Sequence, residues 1–130
     1  MLTKKVGKQM LKNLLEIILD ISDKEYQQRV WIRGEGPEVD DFTETACSFF
    51  DNGDPVLNAY KKCGITECQF QILKKFRDQF RAFYQKHAYE SKFIDTPEWE
   101  KIMQMAKEVL HTFDISGEKN IAPINKLSRH

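Results

Sequence analysis

"TECQFQILKKFRDQFRAFYQKH", Thr66 to His87, decides the fold. Apolar residues return every three or four positions, through Phe70, Leu73, Phe76 or Arg77, Phe80, Phe83 or Tyr84 and His87, which is the period of one helix face. Thr66-Glu67-Cys68-Gln69 opens the segment in capping-box order, so a hydroxyl and a side-chain carbonyl can satisfy free amides of the first turn. This helix is the expected spine of the core.

The same period runs outward in both directions. Upstream, a helix is predicted from about Thr3 to Asp20, burying Val6, Met10, Leu14, Ile17, Ile18 and Ile21 and turning Lys4, Lys5, Lys8 and Lys12 outward. Ser22-Asp23-Lys24-Glu25 reads as a second capping box, opening a helix that reaches Trp31 or Ile32 and ends at Gly34. Gly34 to Pro37 is a connector, because two glycines and a proline favour a turn. Phe42, Ala46, Phe49 and Phe50 share a face of a third helix, from about Val39 or Asp40 to Phe50, closed by Asn52-Gly53. Asp54-Pro55 then predicts a short fourth helix ending at Gly64. Downstream, Thr96-Pro97 starts a helix whose buried stripe is Trp99, Ile102, Met103, Ala106, Val109, Leu110 and Phe113.

Strand-like alternation bounded by turns is missing, so the fold class is all-α: a single-domain bundle of about six helices over residues 1–113. Residues 114–130 lose the period and are expected to form an irregular or partly ordered tail. The 130 residues, 41% hydrophobic and 12% aromatic, suffice for one ordinary core. Lys12, Asn13, Glu16 and Asp20 interrupt the apolar N-terminus, which argues against a signal peptide, and no apolar run approaches membrane-spanning length. An odd count of three cysteines in a chain of this size fits a reducing cytoplasm.

Most chemical motifs fail on spacing. His87, His111 and His130 stand apart from one another and from cysteines, so no metal site is expected. Cys63 and Cys68 are too widely separated for a redox pair. Gly34-Glu35-Gly36 lacks the phosphate-loop pattern and is flanked by carboxylates. The acidic residues do not follow the calcium-loop order, and Asp40 and Asp41 point about 100° apart on a helix, which does not make an acid and base pair. No catalytic centre and no cofactor is expected. An enzyme would need Cys47, Cys63 or Cys68 to meet His87 or His111 in a pocket made by the fold.

Charge is segregated along the chain. Residues 34 to 60 hold seven acids, Glu35, Glu38, Asp40, Asp41, Glu44, Asp51 and Asp54, and no Lys or Arg; the whole chain sums to zero, leaving plus seven elsewhere. Acids at helix starts account for Asp40, Asp41 and Asp54. That account fits Glu35, Glu38, Glu44 and Asp51 less well, and all seven acids are expected to contact a basic protein partner as an acidic strip rimmed by Trp31, Phe42 and Phe49, with Trp31 and Arg33 as further candidate contacts. Lys74, Lys75, Arg77, Arg81 and Lys86 form a basic face on the long helix, but its aromatics have core spacing and the pI is about 6.8, which argues against nucleic acid. A match between that basic face and the acidic segment within the chain is a further expectation.

Three blocks carry a resemblance: Asp23-Lys24-Glu25-Tyr26-Gln27-Gln28-Arg29-Val30-Trp31-Ile32-Arg33-Gly34-Glu35-Gly36-Pro37-Glu38-Val39-Asp40-Asp41-Phe42, then Tyr60-Lys61-Lys62-Cys63-Gly64-Ile65-Thr66, then Phe93-Ile94-Asp95-Thr96-Pro97-Glu98-Trp99. With them the chain, from roughly Ile18 to Phe113, resembles small all-α bacterial proteins, some of them associated with polymorphic toxin loci. The resemblance implies an immunity protein that neutralises a cognate toxin domain, such as the C-terminal nuclease of a contact-dependent growth inhibition system. It transfers no residue roles. The alternative from another class is a helical regulatory or adaptor protein using the same acidic face on a basic host-cell protein.

Overall fold

The computed structural model describes residues 3–37, 40–87 and 92–114. Among them every regular element is helical, with no strand. The elements are α1 (Lys4–Ser22), α2 (Lys24–Tyr26) running on as a π-helix (Gln27–Ile32), α3 (Phe42–Asn58), α4 (Glu67–His87), a 3-10 turn (Lys92–Asp95) and α5 (Pro97–Thr112). The irregular tail expected from residue 114 lies, apart from Asp114, outside the described residues.

α1 packs against α3 and α5, and α4 packs against the same two helices, so the four long helices form an up-down-up-down bundle. The centres of the stripes predicted for α4 and α5 are the observed ones, while Phe70, His87 and Phe113 at their ends are half-buried and Phe113 lies just past α5. Leu73, Phe76, Phe80 and Phe83 are buried on α4, and Trp99, Ile102, Met103, Ala106, Val109 and Leu110 on α5. Phe42 sits at the centre of the aromatic packing, with the rings of Phe80, Phe83, Phe93 and Trp99 all within about 6 Å. Edge-to-face pairs of this kind contribute about 1 kcal/mol each beyond their buried area.

The caps fix both ends of the bundle. Thr66 Oγ1 accepts from the Gln69 amide and Gln69 Oε1 accepts from the Thr66 amide, the reciprocal box expected. Gln69 Nε2 also donates to the Thr112 carbonyl, tying the start of α4 to the end of α5. At the other end Thr96 Oγ1 accepts from the Trp99 amide. Here too the buried Gln27 donates through Nε2 to the Ile21 carbonyl and to the Asp20 carbonyl, which also accepts from the Asp23 amide, where α1 ends, and accepts from Trp99 Nε1 at 2.9 Å.

Four expectations are corrected. The third and fourth helices are one: α3 runs through Asn52-Gly53 and carries Pro55 inside it. Phe49, Gly53 and Val56 fall on one face at spacings of four and three and are all buried, so packing against α1 and α4 outweighs the missing Pro55 amide. Hence five α-helices are seen among the described residues, close to the six or so expected. Asp23, rather than Ser22, caps α2, accepting from the Tyr26 amide, while the Ser22 hydroxyl donates back to the Leu19 carbonyl. Val6 is 48% exposed, and its neighbour Gly7 is the buried residue. A Cβ at Gly7 would lie 2.6 Å from the Lys62 carbonyl oxygen, so backbone touches backbone there. Finally, α3 starts at Phe42 behind an Asp41 cap, slightly later than expected.

Candidate functional site

The connector between the π-helix and α3 closes on Asp40. One carboxylate oxygen, Oδ2, accepts from Tyr26 Oη at 2.9 Å, Trp31 Nε1 at 3.0 Å and Thr45 Oγ1 at 2.7 Å. Tyr26 and Trp31 are five residues apart and would diverge by about 140° on an α-helix. The wider π turn, with its five-residue hydrogen-bond step, brings residues five apart toward one face, as the Arg33 amide to Gln28 carbonyl bond at 3.1 Å shows. Asp40 therefore acts as a clasp holding α2, the π-helix and α3 together.

The other expected contacts divide by role. Trp31 is half-buried, its ring tilted against Phe42 and Trp99 at about 6 Å. Asp41 is spent partly on its cap, accepting from the Glu44 amide at 2.8 Å. Asp54 holds Arg77 of α4 through two bonds, Nε to Oδ1 at 3.0 Å and Nη2 to Oδ2 at 3.3 Å, so the expected internal match between acidic segment and basic face exists at this pair. Arg33 and Glu35 pair with each other at 3.0 Å on the exposed connector. Glu38 lies outside the described residues. The aromatic rim is corrected: Phe42 and Phe49 belong to the core and offer no surface to a partner.

Glu44 and Asp51 remain. They are exposed, seven residues and therefore two turns apart on α3, and neither forms an ion pair with a described residue. Cys47 and Ser48 fill the exposed turn between them, and Pro55 continues the stripe. The seventeen residues of α3 include no Lys, Arg or His. Its outer face is thus purely anionic, with Asp41 at its head.

The basic face of α4 is partly neutralised within the fold. Asp78 bonds both Lys74 and Arg77 at 3.1 Å; although partial burial pushes its carboxyl up, those two cations hold it below the usual range. The bond to Asp54 raises Arg77 further, against a smaller opposing effect of burial. The groove between α3 and α4, about 380 Å³, is lined by this network with Leu57, Asn58 and Phe70 and contains no His or Cys. His87 meets Glu98 at 3.0 Å, Cys63 is buried, and Cys47 and Cys68 are exposed. No group of three His, Cys, Asp or Glu residues is arranged to hold a metal ion among the described residues.

Sequence reasoning missed Gln27, whose three side-chain hydrogen bonds need three elements at once, and the exposed pair Tyr60 and Glu67. Tyr60 Oη donates to Glu67 Oε1 at 2.7 Å while its ring stacks on Phe70 at 4.1 Å. Only the tyrosine seven residues before an acid at a helix start hinted at it.

The fold and this surface define an all-helical bundle with an acidic outer helix face. No family model matches the chain, and no curated protein or solved structure matches it either.

Proposed function

We propose that the protein is an immunity protein that binds and neutralises a basic bacterial toxin domain, with a nuclease the fitting class, through the outer face of α3. The observation that carries this reading is that face: Glu44 and Asp51 exposed, in no ion pair with a described residue, on a helix with no cation. A fixed anionic stripe speeds encounter with a basic partner and sets its register. Glu35 and Asp41 flank the stripe, and Trp31, Asp40 and Asp54 support it from within. Among the described residues no helix is long and apolar enough to cross a membrane. The reading places the protein in the cytoplasm, where its toxin would act.

The test is co-expression with the C-terminal domain encoded immediately upstream, recording growth and copurification. A domain toxic alone, harmless with this protein and recovered as a salt-sensitive complex supports the reading. Reversing Glu44→Lys and Asp51→Lys together should weaken the complex by about tenfold or more. A complex indifferent to that reversal moves the interface off α3. Absence of both protection and complex at low salt refutes the immunity role and leaves the adaptor reading.

A further inference from the structure

We infer that the opposite end of the bundle, where the start of α1 meets the α3–α4 turn, is a docking surface for anionic phospholipid headgroups. Lys4, Lys5 and Lys8 of α1 and Lys61 and Lys62 of the turn are all exposed, and none forms an ion pair with a described residue. The first acid along α1 is Glu16. The Gly7 contact joins the two segments directly: the Lys62 carbonyl oxygen occupies the space a Cβ would need. Five like charges are thereby held at one end, where they repel one another unless anions collect between them. The contrast with α4 is direct, since Lys74 and Arg77 are paired. Glu67, the acid nearest the turn, is held by hydrogen bonds from Tyr60 and Gln71 and also interacts with Lys61, so it offsets part of one of the five charges.

Two features favour a lipid surface over nucleic acid. Tyr60, the aromatic ring of this turn, has one face stacked on Phe70, and Lys61 Nζ lies 6.0 Å from its centroid, so the ring is not an open platform for a base. All five cations are lysines, point charges on flexible stems that follow a fluid layer of phosphates, with no arginine fork for base edges. A depression of about 370 Å³ lined by Asn58, Ala59, Tyr60, Lys61 and Lys62 gives room for a phosphoryl headgroup. Val6, 48% exposed in the first turns of α1, adds an apolar contact at the depth of the interface. Lysine clusters of this size on an amphipathic helix attract anionic leaflets. The surface is remote from the head of α3, so it operates whether or not the proposed partner is bound there.

The test is flotation of the full chain with vesicles of phosphatidylcholine alone or mixed with phosphatidylglycerol, at low and at high salt. Binding is expected to the mixed vesicles only and to fall with salt. Reversing Lys5→Glu, Lys8→Glu and Lys61→Glu should lower it by about tenfold or more. If that variant does not keep its helical circular dichroism, the Lys→Gln set replaces it with the same expectation. The inference is overturned by no binding at low salt, by equal binding to neutral vesicles, by indifference to the substitutions, or by preferential capture on single-stranded RNA.

Discussion

Trp99 Nε1 donates to Gln27 Oε1 at 2.9 Å across 72 residues of chain, and both side chains are fully buried. The same amide donates to carbonyls at the end of α1, so one glutamine joins the end of the first helix to the start of the last. Gln27→Ala strands the Trp99 indole N–H and the Ile21 carbonyl in the core, while the Asp20 carbonyl keeps the Asp23 amide, and a loss of about 3 kcal/mol is expected in urea unfolding. Trp99→Phe, which orphans the glutamine oxygen alone, should cost about half as much, roughly 1.5 kcal/mol. Equal unfolding midpoints for wild type and Gln27→Ala would refute this assignment.

Asp40 separates a structural acid from an interface acid. Asp40→Ala removes the shared acceptor of Tyr26, Trp31 and Thr45 and should cost about 2 kcal/mol, whereas Asp40→Asn keeps an acceptor and should cost much less. Glu44→Ala and Asp51→Ala are exposed changes expected to stay within about 0.5 kcal/mol. Parallel thermal melts of the four variants check the division.

Two glycines should respond to alanine with opposite sign. Gly7→Ala gains helix propensity but drives a methyl into the Lys62 carbonyl, for a net loss of about 1–3 kcal/mol. Gly53→Ala places its methyl 3.5 Å from Leu14 Cδ1, an ordinary contact, and should gain about 0.5–1 kcal/mol. Chemical denaturation of the pair reads both signs.

Alkaline and acid limbs have separate origins. Burial pushes the Cys63 thiol up, and the bond to Glu67 pushes the Tyr60 phenol up. Both groups hold their protons more tightly folded than unfolded, so their contributions are complete at neutral pH and are lost as pH rises through their ordinary values and beyond. Glu67 is lowered, by the bonds from Tyr60 and Gln71. Its contribution is present above the ordinary glutamate value and is lost as pH falls from that value through the lowered folded one. Tyr60→Phe should therefore flatten both limbs of the stability profile, and Cys63→Ala only the alkaline one. A thiol reagent at neutral pH should meet two fast cysteines, Cys47 and Cys68, and one slow one.

Helix identity was legible wherever the apolar period was long, as from Phe70 to Phe83 and from Trp99 to Leu110. It failed at Asn52 to Pro55, where local breakers were overruled by the buried face of Phe49, Gly53 and Val56. The π-helix left no trace in the period, because its effect is to let Tyr26 and Trp31 reach a residue further along. The acidic segment was visible as a count of charges, but its division into clasp, cap, ion pair and open face depends on tertiary partners. Asp54 and Asp51 look alike in the sequence; Arg77, on another helix, tells them apart.

The two tryptophans of the chain lie with ring centroids 6.1 Å apart and planes at 56°. Indoles held this close and non-parallel couple their strongest electronic transitions, so the folded protein should carry an exciton couplet in the far-ultraviolet indole band that vanishes when the rings separate. Trp31 hangs on the clasp and Trp99 on the core. The chain thus contains its own optical gauge, able to register loosening of the α2–α3 corner without any attached dye.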